Sequence, residues 1–196
     1  MTGYGTRVTL IAYTTAIAGL DDPTKLIEYA GRTCANSVDK LGTDPTWVQK
    51  RIMQGHESII EHGSATFEIT CSRTVTHELV RHRLASYSQR SQRYAKEDGC
   101  EYFTPPELNK PAYHDFMTNI FEMYRLMLDD GIKPEIARYI LPNAWRTHII
   151  MTMNFRELRH FIKLRTSTAA LPEMQEVANK VKDLCEENWP EIFKEA

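Results

Sequence analysis

The chain is 196 residues long, 42% hydrophobic and 26% charged, with 24 basic and 26 acidic side chains and a formal charge of −2. That length fits one domain over 1–196, and the near-neutral balance argues against a nucleic-acid coat or a membrane surface. Four cysteines with no C-x-x-C spacing, no basic-then-apolar leader and no apolar run near the roughly 20 residues of a membrane span point to a reduced, cytoplasmic protein.

In chain order, "RVTLIAYT" from Arg7 is β-branched and apolar and predicts a buried strand. "DDPTKLIEYAGRTC" offers Asp22 as a helix N-cap and Pro23 at the first helical position, with Leu26, Ile27 and Ala30 at helical spacing. "DPTWVQKRIMQGH" repeats the formula with Asp44 and Pro45, and Gly55 is expected to stop that helix. "SATFEITCS" alternates Ala65, Phe67, Ile69 and Cys71 with polar partners, a half-buried strand. From Arg73 the period becomes helical through Val75, Leu79, Val80 and Leu84. "PAYHDFMTNIFEMYRLMLDDG" predicts a long amphipathic helix ended by Gly131, and "KPEIARYIL" a shorter one stopping before Pro142. "THIIMTMN" reads as a strand, and "FRELRHFIKLR" and "PEMQEVANKVKDLCEENW" as closing helices. The expected class is α/β in the α+β sense, a mixed or antiparallel sheet flanked by helices, with its strand order left open.

"GHESIIEH", Gly55 to His62, suggests a zinc protease at first sight. The H-E-x-x-H spacing needs a second histidine where Ile60 stands, and the inverted form needs one at Ser58, so no metal site is expected. A capped polar loop accounts for the same residues.

"RHRLASYSQRSQRY", Arg81 to Tyr94, holds four arginines and three serines without a carboxylate. Complementing a helix dipole would occupy Arg81, His82 and Arg83 for about 0.3–1 kcal/mol and leave Arg90, Ser91 and Arg93 unassigned. A nucleic-acid groove recruits more cations than one loop offers. Guanidinium forks with serine hydroxyls suit the phosphate of a nucleotide best. Arg138 and Arg165 lie among apolar neighbours and each require a partner. Arg156 and His160 share a helix face, whereas Arg165, nine residues beyond Arg156, points the opposite way.

Arg81-His82-Arg83, seven residues and Ser91 resemble the signature of the flavin-dependent thymidylate synthases, extended by Ser86, Ser88, Arg93 and Tyr94. "GHESIIEH", "ARYILP" and "MNFRELRHFIKLR" resemble further blocks of that family in the same order, so that the resemblance runs from about Thr33 to Ala178. It implies conversion of dUMP to dTMP, with methylenetetrahydrofolate as carbon donor and NADPH reducing through FAD. It further implies a homotetramer with sites shared between subunits, binding neither nucleic acid nor membrane.

Residue by residue, the resemblance assigns Ser58, Arg81, His82, Arg83, Gln89, Asn154, Phe155, Arg156 and His160 to the flavin. Glu78, Leu79, Val80, Arg81, Gln89, Arg90, Ser91, Gln92, Arg93, Arg138 and Arg165 are assigned to dUMP, and His56 and Glu61 line the flavin and folate region. Uracil C5 becomes a better nucleophile when negative charge builds at N3/O4, and the resemblance gives Arg165 the catalytic role of stabilising that charge. None of the four cysteines stands in a motif that would make it a nucleophile. No G-x-G-x-x-G loop is present, so NADPH is expected to visit the flavin transiently. The family commonly continues past Arg165 with His-Ala-Gln/Asp-x-Glu-Ile, where this chain has Ala169-Ala170-Leu171-Pro172-Glu173-Met174, and Glu78 replaces a glutamine of some members. The altered run motivates an alternative, a flavin- or nucleotide-binding homologue without synthase activity.

Overall fold

The structure, a computed structural model, describes residues 5–15, 20 and 22–194; the ends of the expected 1–196 domain lie outside that set. Four strands, β1 (Arg7–Tyr13), β2 (Ser64–Ser72), β3 (Ala85–Gln89) and β4 (Arg146–Asn154), form one sheet in the order β1-β2-β4-β3. Every neighbouring pair is antiparallel, which decides between the mixed and antiparallel expectations. Among the described residues the helices are α1 (Pro23–Cys34), α2 (Trp47–Met53), α3 (Arg73–Leu79), α4 (Pro111–Asp129), α5 (Pro134–Ala137), α6 (Phe155–Arg165), α7 (Pro172–Asn188) and α8 (Pro190–Phe193).

Strand alternation makes one face of the sheet apolar. Ala65, Phe67 and Ile69 of β2 are buried opposite Met153, Met151 and Ile149 of β4. Helices α6 and α7 cover this face with Leu158, Phe161, Ile162, Met174, Val177 and Val181, all fully buried. The other face is polar, with Thr66 bonded to Thr152 at 2.9 Å and Thr70 to His148 at 3.1 Å. A second, smaller core joins Met117, Phe121 and Tyr124 of α4 to Trp145.

Strand β1, expected to be buried, instead stands at the sheet edge with no buried residue, whereas several predicted boundaries hold for the reasons expected. Asp22 caps α1 by accepting from the Thr24 N–H at 2.7 Å, and Gly131 ends α4 with φ +83°. Helix α2 starts later than expected, at Trp47 rather than behind Pro45. Asp44 accepts from the Thr46 N–H and hydroxyl and from Lys50, a local turn that forestalls the helix and holds its carboxyl at about 2. Helix α3 stops at Leu79, short of Leu84, because the Arg81 and His82 N–H groups turn back onto Glu78 O and Leu79 O. The loop expected at "GHESIIEH" contains a 3-10 turn over Glu57–His62, and β3 is a strand that periodicity did not announce.

Candidate active site

Strand β4 runs straight into α6 at Asn154, whose side chain caps the helix by accepting from the Glu157 N–H at 2.8 Å. The cap aims the first turn of α6 at the 3-10 turn, where Arg156 meets Glu61 at 2.6 Å and Glu57 at 3.8 Å. Between them opens a cleft of about 770 Å³ that includes Asn154, Arg156, His160 and Lys163 in its lining. A smaller cleft of about 280 Å³, lined by Arg81, His82, Arg83, Leu164 and Arg165, shares Leu84, Glu157 and His160 with it as a common wall. Arg156 and Arg165, on opposite sides of α6 as their spacing requires, thus serve adjoining spaces.

At the base of the smaller cleft Arg165 is held at several points. Its Nη1 donates to Glu78 Oε2 at 3.1 Å, its Nη2 to Glu78 O at 3.4 Å and its Nε to His82 Nε2 at 3.1 Å. His82 is 5% exposed, and its Nδ1 lies 2.9 Å from Glu157 Oε1. Burial pulls the His82 pKa below the ordinary histidine range; the Glu157 hydrogen bond opposes this and the Arg165 charge adds to it. His82, Glu157 and His160 bring three ligand-type atoms within 4.8 Å of one another. Both nitrogens of His82 are already committed, to Arg165 and Glu157, and the His160 ring lies beside them at 5.8 Å between centroids. Among the described residues, the Arg81 and Arg83 guanidiniums have no hydrogen-bond or ion-pair partner, leaving two cations at the rim of the cleft.

The second half of the arginine-rich stretch lies elsewhere. The five residues of β3, at about 3.3 Å each, carry the chain roughly 16 Å from the Arg81–Arg83 turn before Arg90 begins a loop. There Arg90 Nη2 donates to Lys96 O at 3.1 Å and stands 3.5 Å from Glu97 and 3.6 Å from Asp98. Ser91 accepts from the Arg93 N–H, Gln92 is buried against Glu97, and Arg93 pairs with Glu135 at 3.1 Å. Gln89 donates to Thr76 and Thr147. Arg138 stands close enough to Arg73 to reinforce the burial that lowers the Arg73 pKa, against the pull of Glu97. Arg73, Glu135 and Glu157 are absent from the sequence-based set, since each acts through a neighbour distant in the chain; Glu97, also absent, pairs locally with Arg90 and Gln92 but carries no motif of its own.

Other expected residues fall outside both clefts. His56 and Ser58 line a separate cavity beside Trp47, with Arg32 and Arg51, although Glu57 and Glu61 of the same turn face α6. The Phe155 ring is fully buried against Trp189 and Phe193 and lines neither cleft. Leu79 is buried in the core and Val80 is exposed. Cys71 and Cys185 are buried with their thiols pushed up, the latter to about 12, and burial also raises Cys100.

A family model described as thymidylate synthase complementing protein matches residues 9–191. A flavin-dependent thymidylate synthase of Geobacter sulfurreducens is 40% identical over 191 residues, covering 89% of this chain and 82% of that protein. One from Pyrococcus furiosus is 40% identical over 189 residues, covering 89% and 77%. Among solved structures, Thymidylate Synthase X of Helicobacter pylori with FAD and dUMP aligns with a TM-score of 0.82 at 25% identity, over 97% of this chain and 98% of that one. A UMP/dUMP methylase of Streptomyces cacaoi bound with 5-Br dUMP has the same TM-score at 23% identity, over 96% and 93%, and shares the fold. Matched by the family model over nearly its whole length and by relatives at this identity, the chain belongs to the flavin-dependent thymidylate synthases.

Proposed function

We propose that this chain converts dUMP to dTMP, taking one carbon from methylenetetrahydrofolate and reducing equivalents from NADPH through FAD. The observation that carries this is Arg165, a guanidinium anchored at Glu78 and His82 on the wall of a cleft that also holds Arg81, Arg83 and His160 between Leu84 and Leu164. Fixed in advance, it meets charge developing at N3/O4 of uracil without reorganising. That activates C5 without covalent attack. The raised thiols of Cys71, Cys100 and Cys185 agree with a route that uses no cysteine nucleophile.

The donor set suits a dianionic pyrophosphate. Arg81 and Arg83 lack counter-charges among the described residues, Arg156 is tied to exposed carboxylates, and Asn154, His160 and Lys163 complete the wall. These residues would hold FAD, which when bound supplies reducing equivalents at the transferred carbon. His160 and the backbone turn at Arg81–Arg83 would orient it, while Leu84 and Leu164 limit water. At the far end of β3, Gln89, Arg90, Ser91, Gln92 and Arg93 would receive the dUMP phosphate with Arg138, and Glu78 to Arg81 would border the nucleotide beside Arg165.

One domain over 1–196, a homotetramer and a cytoplasmic location complete the reading. The roughly 16 Å between the two basic ends of β3 supports sites assembled from more than one subunit. So do Phe116, Met123 and Leu126 of α4, each more than half exposed along one helix. No described helix is long and apolar enough to cross a membrane.

The test mixes the purified protein, FAD, NADPH and methylenetetrahydrofolate with dUMP carrying tritium at C5. Tritium release with dTMP formation is expected. Binding of flavin and dUMP without release would favour the homologue that lacks synthase activity, and a colourless protein that binds neither would end both readings.

A further inference from the structure

The Arg165 Nε–H can only donate, and it points at His82 Nε2 from 3.1 Å, so that ring nitrogen must carry a lone pair. In a neutral imidazole the proton then sits on Nδ1, 2.9 Å from the Glu157 carboxylate. Arg165, His82 and Glu157 therefore form a row in which each residue donates to the next. Glu157 and His82 are both less than a tenth exposed, which strengthens the bonds and makes an unmade one costly.

We propose that Glu157 is a positioning residue of the synthase reaction: it fixes His82 in the Nδ1–H tautomer, so that bare Nε2 grips Arg165 Nε and aims the remaining N–H bonds at uracil. The inference rests on the synthase reading and goes beyond it. Neither Glu157 nor the tautomer of His82 follows from the arginine-rich signature.

Geometry also sets a pH dependence. The groups facing His82 are Glu157, His160 and Arg165 from α6, Glu78 from α3 by way of Arg165, and the Tyr87 hydroxyl of β3, which donates to the His82 carbonyl at 3.1 Å. A proton added to Nε2 would confront the Arg165 Nε–H, two donors with no acceptor between them. Activity should therefore fall as pH drops through the His82 pKa, which burial holds below the ordinary histidine range. Glu157→Gln keeps an acceptor for Nδ1–H but removes the charge that favours the imidazolium, so the acid limb should move to lower pH. Glu157→Leu removes the acceptor and frees the ring to take the wrong tautomer.

Two measurements test this on the FAD-loaded protein. The first records 15N shifts of the His82 imidazole near neutral pH in the wild type. A protonated Nδ1 with a bare Nε2 is expected; the opposite tautomer, or an imidazolium, overturns the proposal. The second follows tritium release from C5-labelled dUMP between about pH 5 and about pH 9. Glu157→Leu should lose about tenfold or more in kcat with KM changed less than about twofold, and the acid limb of Glu157→Gln should lie below that of the wild type. An unmoved limb in Glu157→Gln, or a wild-type kcat in Glu157→Leu, sinks the idea. A wild type that releases no tritium refutes the synthase reading instead, and the 15N shifts still decide whether Glu157 sets the tautomer.

Discussion

Arg165 gains its specificity from the shape of its side chain. One planar fork reaches the Glu78 carboxylate, the Glu78 carbonyl and the His82 ring together, which a lysine ammonium on a flexible stem cannot do. Arg165→Ala should therefore stay yellow with bound flavin yet lose about 100-fold or more in tritium release, and Arg165→Lys should not restore it. A normal rate in either variant would remove Arg165 from the chemistry. Glu78 sharpens the point, because its carboxylate offsets part of the charge that uracil is meant to feel. Glu78→Gln keeps an acceptor for Nη1 and removes the counter-charge. Bound 5-fluoro-dUMP should then ionise at N3 about one pH unit lower, read by its 19F shift, and an unchanged ionisation would mean that Glu78 does not tune Arg165. The density of arginine and serine in 81–94 suggests phosphate chemistry from residue types alone. The partners are not legible there: His82–Glu157 and Arg165–Glu78 join residues 75 and 87 positions apart, and no local pattern encodes such pairs.

Elements with a strong period, such as β2, β4, α4 and α6, are legible because burial follows their spacing. Strand β3 is not. Its Ser86 and Ser88 face solvent, it stands at the sheet edge, and its strand character comes from pairing with β4. The altered run after Arg165 also has a function that pattern matching could not supply. Glu173, at the start of α7, accepts from the Ser72 N–H at 2.7 Å and the Ser72 hydroxyl at 2.8 Å, while that hydroxyl caps α3 at the Val75 N–H. It thereby fixes the helix that carries Glu78. Burial raises the Glu173 pKa despite the Ser72 bonds, so the folded state holds its proton longer than the unfolded chain. Its contribution to stability is complete below the ordinary glutamate value and is lost as pH rises through the folded value. Glu173→Gln should accordingly match or exceed the wild type in urea denaturation at neutral pH and lose that advantage in acid. Glu173→Ala, which strands a buried N–H, should cost about 1–3 kcal/mol. Equal stability of the alanine variant would show that the Ser72 anchor is dispensable.

Across the molecule, β3 separates two basic groups that the proposed tetramer would bring to one site. The Arg81–Arg83 turn lies beside Arg165 at one end and the Arg90–Arg93 loop at the other, roughly 16 Å along the strand. Two copies related by symmetry can bring the loop of one to the cleft of the next, and the exposed apolar side of α4 offers contact area for such an arrangement. Arg165→Ala and Arg93→Ala should each be inactive alone, the first for want of charge at uracil and the second for want of a phosphate contact. Unfolded together in equal amounts and refolded, they should form mixed oligomers in which a site is intact when Arg165 comes from one parent and Arg93 from the other. Random assembly makes that about one site in four, so the mixture should recover roughly a quarter of the wild-type rate. Arg93 is more than half exposed and its ion pair with Glu135 lies at the surface, so its loss should leave folding intact. Recovery requires a shared site, whereas a site built within one chain would leave the mixture as inactive as its parents.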